Sequence, residues 1–586
     1  MTSGYAIVAV LVVALGTILV GTYGLRVSRT TSDFYVASRT VSPWWNASAI
    51  GGEYLSAASF VGIAGLIFAY GPDMLWFPVG YTAGYLVLLT MVAAPLRRSG
   101  AYTLPDFAEA RFRSRGVRAV ASILALAIGW LYLLPQLEGA GLTLNTVTGA
   151  PDWLGALVVT VVVTANVMSG GMRSITFVQA FQYWLKLTAI TVPIVFLIVV
   201  WQAHGADSLT KPEYPAFRQD TEVAFQRPTT IHAEKALFIK GTGEVDGVRI
   251  ENTGIVLTDG YHRIGQGSEF TFPKDAPVPH LSTMAHNTNE MWSLPMSSGQ
   301  DFPLYGAYSL IIATFLGTMG LPHVIVRFYT NPNGTAARRT TLIVLGLLSV
   351  FYLMPPMYGA LGRLYTPELL MTGQTDAVVL VLPTRMIDGI GGELLGALVA
   401  GGAFAAFLST SSGLVVSLAG VLSQDVLRLG GVRGFRISTV LAGLVPLAMT
   451  FVSTGMPVAD MVGLAFAVAA SSLCPLLMLG IWSSRITTVG AIAGMLAGGV
   501  PALTAGLVTM FADTGDAWYE ILLSRPAAWT VPLGFTVMYV VSLLTQRHVP
   551  AGVQRTMVKL HAPENLGLDS SSSHSGPASG DERSQG

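Results

Sequence analysis

The residues best suited to chemistry in this sequence form a small polar stretch inside a long apolar run. The stretch at 51–59 contains two glycines, one glutamate and two serines, namely Gly51, Gly52, Glu53, Ser56 and Ser59. A helix that unwinds there exposes backbone carbonyls that can ligate a cation, together with N–H groups whose dipole suits an anion. The alternative is a packing face of small residues, whose hydroxyls bond to carbonyls one turn earlier. From this stretch alone both interpretations stay open.

A second polar stretch consists of four consecutive hydroxyl residues, 409–412, within the apolar run 403–417. Hydroxyl and carbonyl oxygens form a hard ligand shell, which suits a weakly held alkali cation better than a divalent cation that would require carboxylates. Both stretches are predicted to interrupt the helices that carry them, because they are rich in glycine or small polar residues. Such interruptions are the best sequence indication of a transport site in a membrane protein.

Three ionisable side chains stand out within the apolar runs, namely Glu53, Glu138 and Lys186. An ionisable residue inside a membrane span is expected to be functional, because burying its charge is costly. Glu138 and Lys186 could instead pair with each other in a structural role, and Glu53 could serve coupling, gating or local structure. No arginine is predicted at mid-membrane, so a bound carboxylate would rely on helix N-termini and hydroxyls.

A further helix interruption is predicted at 317–322, where Gly317, Gly320 and Pro322 would break or kink a helix. His323 follows directly, and it could relay a proton. Because it lies beside Arg327 near the predicted cytoplasmic end of its span, a structural hydrogen-bonding role is favoured for it.

The composition indicates the class of protein. Only 11% of the residues are charged and 52% are hydrophobic, whereas soluble domains carry about 25% charged residues. Long apolar runs alternate with short arginine-bearing segments, as in a multi-pass inner-membrane protein. The formal net charge of zero provides no field that would attract nucleic acid. The single cysteine, Cys474, excludes an intrachain disulfide, and no Walker A, dinucleotide-binding, HExxH or triad pattern predicts an enzyme.

An all-α polytopic membrane protein with thirteen spans is predicted, because each span needs about 20 mainly apolar residues. Arginines cluster after the odd-numbered spans and are absent from the short loops after spans 2, 4 and 10, so the N-terminus is predicted outside and the C-terminus inside. Spans 1 to 13 are predicted at 5–25, 43–70, 73–97, 118–147, 152–171, 175–202, 304–327, 339–362, 391–427, 434–453, 457–481, 486–512 and 526–546.

Two segments are predicted to lie outside the membrane. Residues 203–303 form a polar insert on the outer face, and apolar and polar residues alternate in it at 235–240 and 247–251, which predicts short strands and turns. The tail 570–586 is rich in serine and glycine and is predicted to be disordered.

Three ordered motifs and one short segment resemble the sodium:solute symporter family, in particular its cation/acetate branch. The motifs are Gly52-Glu-Tyr-Leu-Ser-Ala-Ala-Ser-Phe-Val-Gly62, Gly317-x-x-Gly-x-Pro-His-x-x-x-Arg-Phe328 and Met461-Val-Gly-Leu-Ala-Phe-Ala-Val-Ala-Ala-Ser471, and the segment is Tyr102-Thr-Leu-Pro-Asp-Phe107. The resemblance extends over 32–485 apart from the insert.

The resemblance implies a leucine-transporter-type fold of two inverted five-helix repeats. The chain would then divide into an extra helix at 1–30, a first repeat at 31–202 (spans 2–6), the insert at 203–303, a second repeat at 304–485 (spans 7–11), two further spans at 486–547 and a cytoplasmic tail at 548–586.

The resemblance also implies that sodium is the coupling ion. Its ligands would be the carbonyls of Gly52, Leu55 and Ala406 and the hydroxyls of Ser409 and Thr410. The substrate would lie beside Ser56, Ser59, Thr314, Thr318 and Pro322. Glu53 stands where the acetate branch typically has aspartate, and it is a candidate for coupling or gating.

The predicted function is symport of sodium with a small monocarboxylate, such as acetate, propionate or pyruvate, across the inner (plasma) membrane by alternating access. One alternative is a sodium symporter for an amino acid such as proline, or for a sugar. Another is a transporter-fold receptor that signals through a partner, and proton coupling through Glu53 or His323 is a further possibility. The long insert resembles a subgroup that works with a small membrane subunit, so such a subunit is an expected partner besides the lipid bilayer.

Overall fold

The computed structural model describes residues 4–27, 41–282, 284, 288–296, 302–429, 431–453, 456–512 and 519–562. Helices make up most of these residues, and the strands all lie between 221 and 281. The tail 570–586, which the sequence predicts to be disordered, lies outside the described residues.

The helices follow one another along the chain in three groups. Before the insert lie α1 Gly4–Val27, α2 Pro43–Tyr54, α3 Ile63–Tyr70, α4 Trp76–Val87, α5 Ala93–Ser99, α6 Leu104–Phe112, α7 Arg115–Thr148 and α8 Asp152–Ala203. The insert ends with the short α9 Asn289–Ser293. After it come α10 Pro303–Gly320, α11 Pro322–Val326, α12 Gly334–Phe351, α13 Pro355–Tyr365, α14 Leu369–Thr372, α15 Val378–Met386, α16 Ile390–Val421, α17 Gly431–Met449, α18 Val458–Ser471, α19 Leu473–Trp482, α20 Thr488–Phe511, α21 Glu520–Ser524, α22 Ala527–Leu544 and α23 Val553–His561.

The helices are long and apolar enough for a multi-pass membrane protein. Within the described residues eleven helices have the length and apolar composition of a membrane span. The bent pair Pro43–Tyr54 and Ala58–Tyr70, counted as one span, brings the number to twelve. The 52-residue α8 counts once, although two helices meet in it at Gly171, where φ is 57° and ψ is −152°. Glycine adopts that conformation without a steric penalty. The two parts of α8 correspond to predicted spans 5 and 6, while the number of crossings and the orientation of the termini stay predictions.

Two of the predicted helix interruptions are present, and one is not. The chain bends by 69° between α2 and Ala58–Tyr70. In span 7, α10 ends at Gly320 and α11 begins at Pro322, with Leu321 extended between them. The predicted interruption of span 9 is wrong, because α16 is an unbroken helix of 32 residues. Ser409 and Thr410 bond to carbonyls of their own turn and of span 2 without unwinding the helix.

The insert contains a seven-stranded antiparallel sheet. Its strands are β1 Thr221–Phe225, β2 Thr229–Ala233, β3 Leu237–Val245, β4 Val248–Leu257, β5 Gly260–Ile264, β6 Ser268–Phe272 and β7 His280–Leu281. Their order is β1-β6-β3-β5-β2-β7, and β4 pairs with β3 at the side. Buried and exposed residues alternate in β1 and β6, so one face of these strands packs on a core of its own. Strands therefore lie where the alternation at 235–240 and 247–251 predicts them.

Trp292 attaches the insert to the helix bundle. Its indole N–H donates to the carbonyls of Ile67 and Phe68, at 2.8 Å and 3.1 Å. These carbonyls belong to the last turn of α3, where helix carbonyls lack partners within the helix. The guanidinium carbon of Arg363 lies 5.2 Å from the centre of the tryptophan ring, and its Nε donates to Asn289. Trp292 thus forms a buried contact between the membrane bundle and the insert at the end of a broken helix.

Replacing Trp292 by alanine is expected to lower the free energy of unfolding by about 3–5 kcal/mol, as for other buried aromatic side chains. Trp292→Phe keeps most of the packing and removes the N–H donor, so its loss should be nearer to about 1 kcal/mol. Thermal unfolding of the detergent-solubilised protein measures both, with Trp153→Ala as the control because half of Trp153 is exposed. The same Tm for Trp292→Ala and the control would contradict this role.

Candidate functional site

The break in span 2 packs against the hydroxyl residues of span 9. The Ser409 hydroxyl donates to the Gly52 carbonyl at 2.6 Å and contacts the Ala406 carbonyl at 3.0 Å. The Thr410 hydroxyl donates to the Glu53 carbonyl at 2.6 Å. The structure therefore brings Gly52, Ala406 and Ser409 together directly, and Thr410 joins them through Glu53, the neighbour of Gly52. The fifth predicted sodium ligand, Leu55, joins them through Lys186.

Lys186 lies at the centre of this group of oxygens. Its fully buried ammonium donates to the carbonyls of Gly52 and Leu55 and to the Ser409 hydroxyl, the last two at 2.7 Å and 2.8 Å. The alternative that Lys186 pairs with Glu138 is wrong, because Glu138 accepts a hydrogen bond from Ser453 instead. The ammonium uses the oxygens predicted to ligate sodium, so these residues as arranged do not fit a sodium ion in addition.

A buried ion pair lies on the other side of the break. The Nε of Arg327 is 2.5 Å from the Glu53 carboxylate, and both side chains are almost completely shielded from solvent. The same guanidinium donates to the Thr176 hydroxyl at 2.9 Å and to the Gln179 side-chain oxygen. The burial of the Arg327 side chain in the bundle was not anticipated from the sequence, and the turn Arg327–Thr330 that follows α11 is itself buried. The prediction that no arginine lies at mid-membrane stays a prediction. Sequence reasoning placed Arg327 by its distance from the span end, which does not show where its side chain points.

Gln179 connects the ion pair with the lysine. Its side-chain amide donates to the Ser409 carbonyl at 2.6 Å, while its oxygen accepts from Arg327. Gly413 makes room for the Glu53 carboxylate, since a Cβ at that position would lie 2.1 Å from Oε1. Spans 2, 6, 7 and 9 are thereby joined in one polar network.

The predicted substrate residues fall into two groups. Ser59 contacts the Tyr352 hydroxyl at 2.9 Å, and Thr318 contacts the Tyr54 hydroxyl at 2.8 Å. Ser56 and Pro322 lie at the two helix breaks. Thr314 lies one turn before Thr318, whose hydroxyl contacts the Thr314 carbonyl at 2.8 Å. The Thr314 hydroxyl itself bonds to Leu310 of the same helix and packs where Gly80 leaves space.

A cluster of aromatic side chains, the aromatic cage, packs between the two helix breaks, and sequence reasoning missed it. Phe466 is central, with ring-centre distances of 4.8 Å to Tyr81, 5.7 Å to Tyr132 and 6.3 Å to Tyr54. Three further rings contact these four, namely Tyr85, Tyr352 and His323. The aromatic cage consists of all seven: Tyr54, Tyr81, Tyr85, Tyr132, His323, Tyr352 and Phe466. The four-residue spacing of Tyr81 and Tyr85 on one helix, and Phe466 within a quoted motif, were signals available in the sequence.

Several polar atoms of the aromatic cage are buried without a hydrogen bond. Among the residues that the structure describes, the hydroxyls of Tyr81 and Tyr85 and both ring nitrogens of His323 have no partner. The favoured role of His323 as a structural hydrogen-bonder is therefore wrong. Buried polar groups without partners are rare because each costs about 1–3 kcal/mol. Such groups are suited to a polar ligand that supplies the missing hydrogen bonds.

A cavity of about 260 Å³ lies between the bundle and the sheet of the insert. Its lining includes Glu138, Asp152, Arg227 and Asp376. Asp376 lies outside the candidate spans, and burial, together with the nearby charge of Asp460, raises its pKa to about 6. It accepts a hydrogen bond from the first amide of α18, the helix that carries Phe466 of the aromatic cage.

The chain is similar to several known proteins. A model of the sodium:solute symporter family matches residues 34–239 and 283–498. An uncharacterized symporter of Bacillus subtilis, YwcA, is 29% identical over 539 residues, covering 89% of this chain and 90% of that protein. The monocarboxylic acid transporter of Corynebacterium glutamicum is 29% identical over 569 residues and covers 92% of each chain.

A solved structure of a Na⁺-coupled sialic acid symporter, in a substrate-bound outward-open state, is similar in fold. It aligns with a TM-score of 0.57 at 13% identity, covering 92% of this chain and 98% of that chain. This likeness confirms the predicted leucine-transporter-type fold.

Replacing Glu53 by glutamine should lower the free energy of unfolding by about 3–5 kcal/mol, because it leaves the Arg327 charge buried without its partner. Arg327→Gln should have a similar effect, and the double variant should lose less than the sum of the two. Thermal unfolding measures this coupling, with the exposed Glu393→Gln as the control. Strictly additive losses would show that the pair does not interact.

Proposed function

Because this chain belongs to the sodium:solute symporter family, we propose that it is a secondary active symporter that takes up a small monocarboxylate such as acetate. It is a multi-pass membrane transporter and not an enzyme. Family and fold support sodium-coupled symport. That the substrate is a monocarboxylate is the more specific proposal, and it rests on the aromatic cage.

The aromatic cage is the observation that carries the substrate class. Its unpartnered groups, Tyr81, Tyr85 and His323, can all donate hydrogen bonds, and a carboxylate accepts them on two oxygens. The surrounding rings offer an apolar wall for a short alkyl chain. A sugar would need more side-chain hydrogen-bonding groups than span 2 offers.

Charge supports the same class of substrate. The Arg327 guanidinium is already engaged by Glu53, Thr176 and Gln179, so it is not available to bind a second carboxylate in a bidentate manner. A small anion would rely on neutral donors, with the cationic groups nearby providing a favourable field. The name of the Corynebacterium relative, a monocarboxylic acid transporter, also favours this class.

Alternating access would use the two broken helices. Spans 2–3 and 7–8 would rock against the remaining spans, so that the aromatic cage opens first to the outside and then to the cytoplasm. A coupling ion drives such a cycle only through different affinities for the two states. The predicted small membrane subunit stays a prediction.

The test is uptake of labelled acetate into proteoliposomes at fixed pH, with an inward sodium gradient or with choline in its place. We expect the sodium gradient to accelerate uptake, and unlabelled pyruvate and propionate to compete while proline does not. Absence of acetate uptake would reject the monocarboxylate. Competition by proline or a sugar would favour those substrates, and binding without any transport would favour the receptor.

Tyr81→Phe and Tyr85→Phe test the aromatic cage directly. Each removes one donor to a charged ligand, worth about 1.5–3 kcal/mol, so the KM for acetate should rise by about 10- to 150-fold. Stability should not fall, because the hydroxyls have no partner to lose within the described part of the chain. Tyr539→Phe, at an exposed position, is the matched control. An unchanged KM with both variants folded would remove the hydroxyls from the substrate site.

A further inference from the structure

The side-chain nitrogen of Lys186 occupies the predicted sodium position at the junction of spans 2 and 9. We propose that the Lys186 ammonium takes the place of sodium there, so that this position holds a cation tethered to span 6 and binds no sodium ion. The observation is that its Nζ contacts the Gly52 carbonyl, the Leu55 carbonyl and the Ser409 hydroxyl.

The hydrogen-bond count matches a charged ammonium. An ammonium has three donors and no acceptor, and it meets three oxygen acceptors here. Ser409 accepts from the ammonium and still has its own proton for the carbonyl of Gly52 or Ala406. A neutral amine has only two N–H groups, so the third contact would require the Ser409 hydroxyl to donate to the amine, and the bond of that hydroxyl to the Gly52 or Ala406 carbonyl would be lost.

The contact is built from span 6 and is not a chance approach of a long side chain. Gln179 and Lys186 are seven residues apart, so they lie on one face of the helix two turns apart. Gln179 donates to the Ser409 carbonyl and Lys186 to the Ser409 hydroxyl, at 2.6 Å and 2.8 Å. Lys186 is completely buried, and both side chains converge on the same residue of span 9.

Sodium and the ammonium exclude each other at this position. They would share the carbonyl oxygens of Gly52 and Leu55 and the Ser409 hydroxyl, which are the inner ligands of the predicted site. Two cations on the same few oxygens repel strongly where water is absent. The remaining predicted ligands, the Ala406 carbonyl and the Thr410 hydroxyl, are only two oxygens and do not form a shell by themselves.

The tethered cation also sets the charge of the buried cluster. Lys186 and Arg327 contribute two positive charges and Glu53 one negative charge, which leaves one positive charge beside the aromatic cage. A monocarboxylate would neutralise it. This last consequence rests on the proposed function, whereas replacement of sodium by Lys186 does not.

The test measures sodium binding without substrate. Tm of the purified full-length protein is followed while sodium chloride replaces choline chloride at constant ionic strength, for the wild type, Ser409→Ala, Lys186→Ala and the double variant. We expect the wild type and Ser409→Ala to show the same response of Tm to sodium. Lys186→Ala should gain a saturable, sodium-specific rise in Tm, because the oxygen shell is vacated, and the double variant should lack that rise. Lys235→Ala, at an exposed position of the insert, is the matched control.

Two results would overturn the proposal. One is a sodium-dependent rise in Tm of the wild type that Ser409→Ala abolishes, and the other is a folded Lys186→Ala variant whose Tm does not respond to sodium beyond the wild type. If Lys186→Ala does not fold, the comparison of wild type with Ser409→Ala decides alone: an equal response supports the proposal and a lost response overturns it. Acetate is absent from this assay, so a failure of acetate uptake leaves its outcome unaffected.

Discussion

The burial of three charged side chains in the helix bundle is the constraint on which the site depends. Away from water, Lys186, Arg327 and Glu53 need oppositely charged or hydrogen-bonding partners, because an unpaired buried charge costs several kcal/mol. Each finds its partners on other spans, so satisfying the charges fixes how spans 2, 6, 7 and 9 lie against one another. The network is therefore costly to bury and at the same time specifies how these four spans are arranged.

The helix breaks and the buried charges support each other. An unbroken span 2 would keep the Gly52 and Leu55 carbonyls within its own hydrogen-bond ladder, and the ammonium would have fewer acceptors. Conversely, carbonyls freed by a break would be costly inside a membrane without donors to satisfy them. Span 9 remains continuous because its small residues allow close packing, and its hydroxyls serve as the bridge to the broken span.

Local features of this site could be predicted from the sequence, and long-range pairings could not. Gly51 to Ser59 indicated the break in span 2, and the motifs identified the family and the fold. The pairing of Glu53 with Arg327 joins residues 274 positions apart, and hydropathy patterns contain no information on such contacts. The same limit applies to Lys186, whose partner was guessed among ionisable residues although its acceptors are mostly backbone oxygens. The aromatic cage was missed because tyrosines in apolar spans are as typical of packing as of binding.

A tethered cation has different consequences for coupling from those of a free ion. Sodium at the junction of spans 2 and 9 could enter from one side and leave on the other, and its gradient could then drive the change of state. Lys186 cannot leave, so at this position it can stabilise an arrangement of spans 2, 6 and 9 but cannot carry free energy from a sodium gradient across the membrane. Sodium coupling, which the family supports, therefore requires an ion position outside this oxygen shell. The position held by Lys186 and the position of the coupling ion are therefore different. Lys186 holds the helices together at the junction, whereas the ion that drives the cycle has to bind where its affinity differs between the two open states.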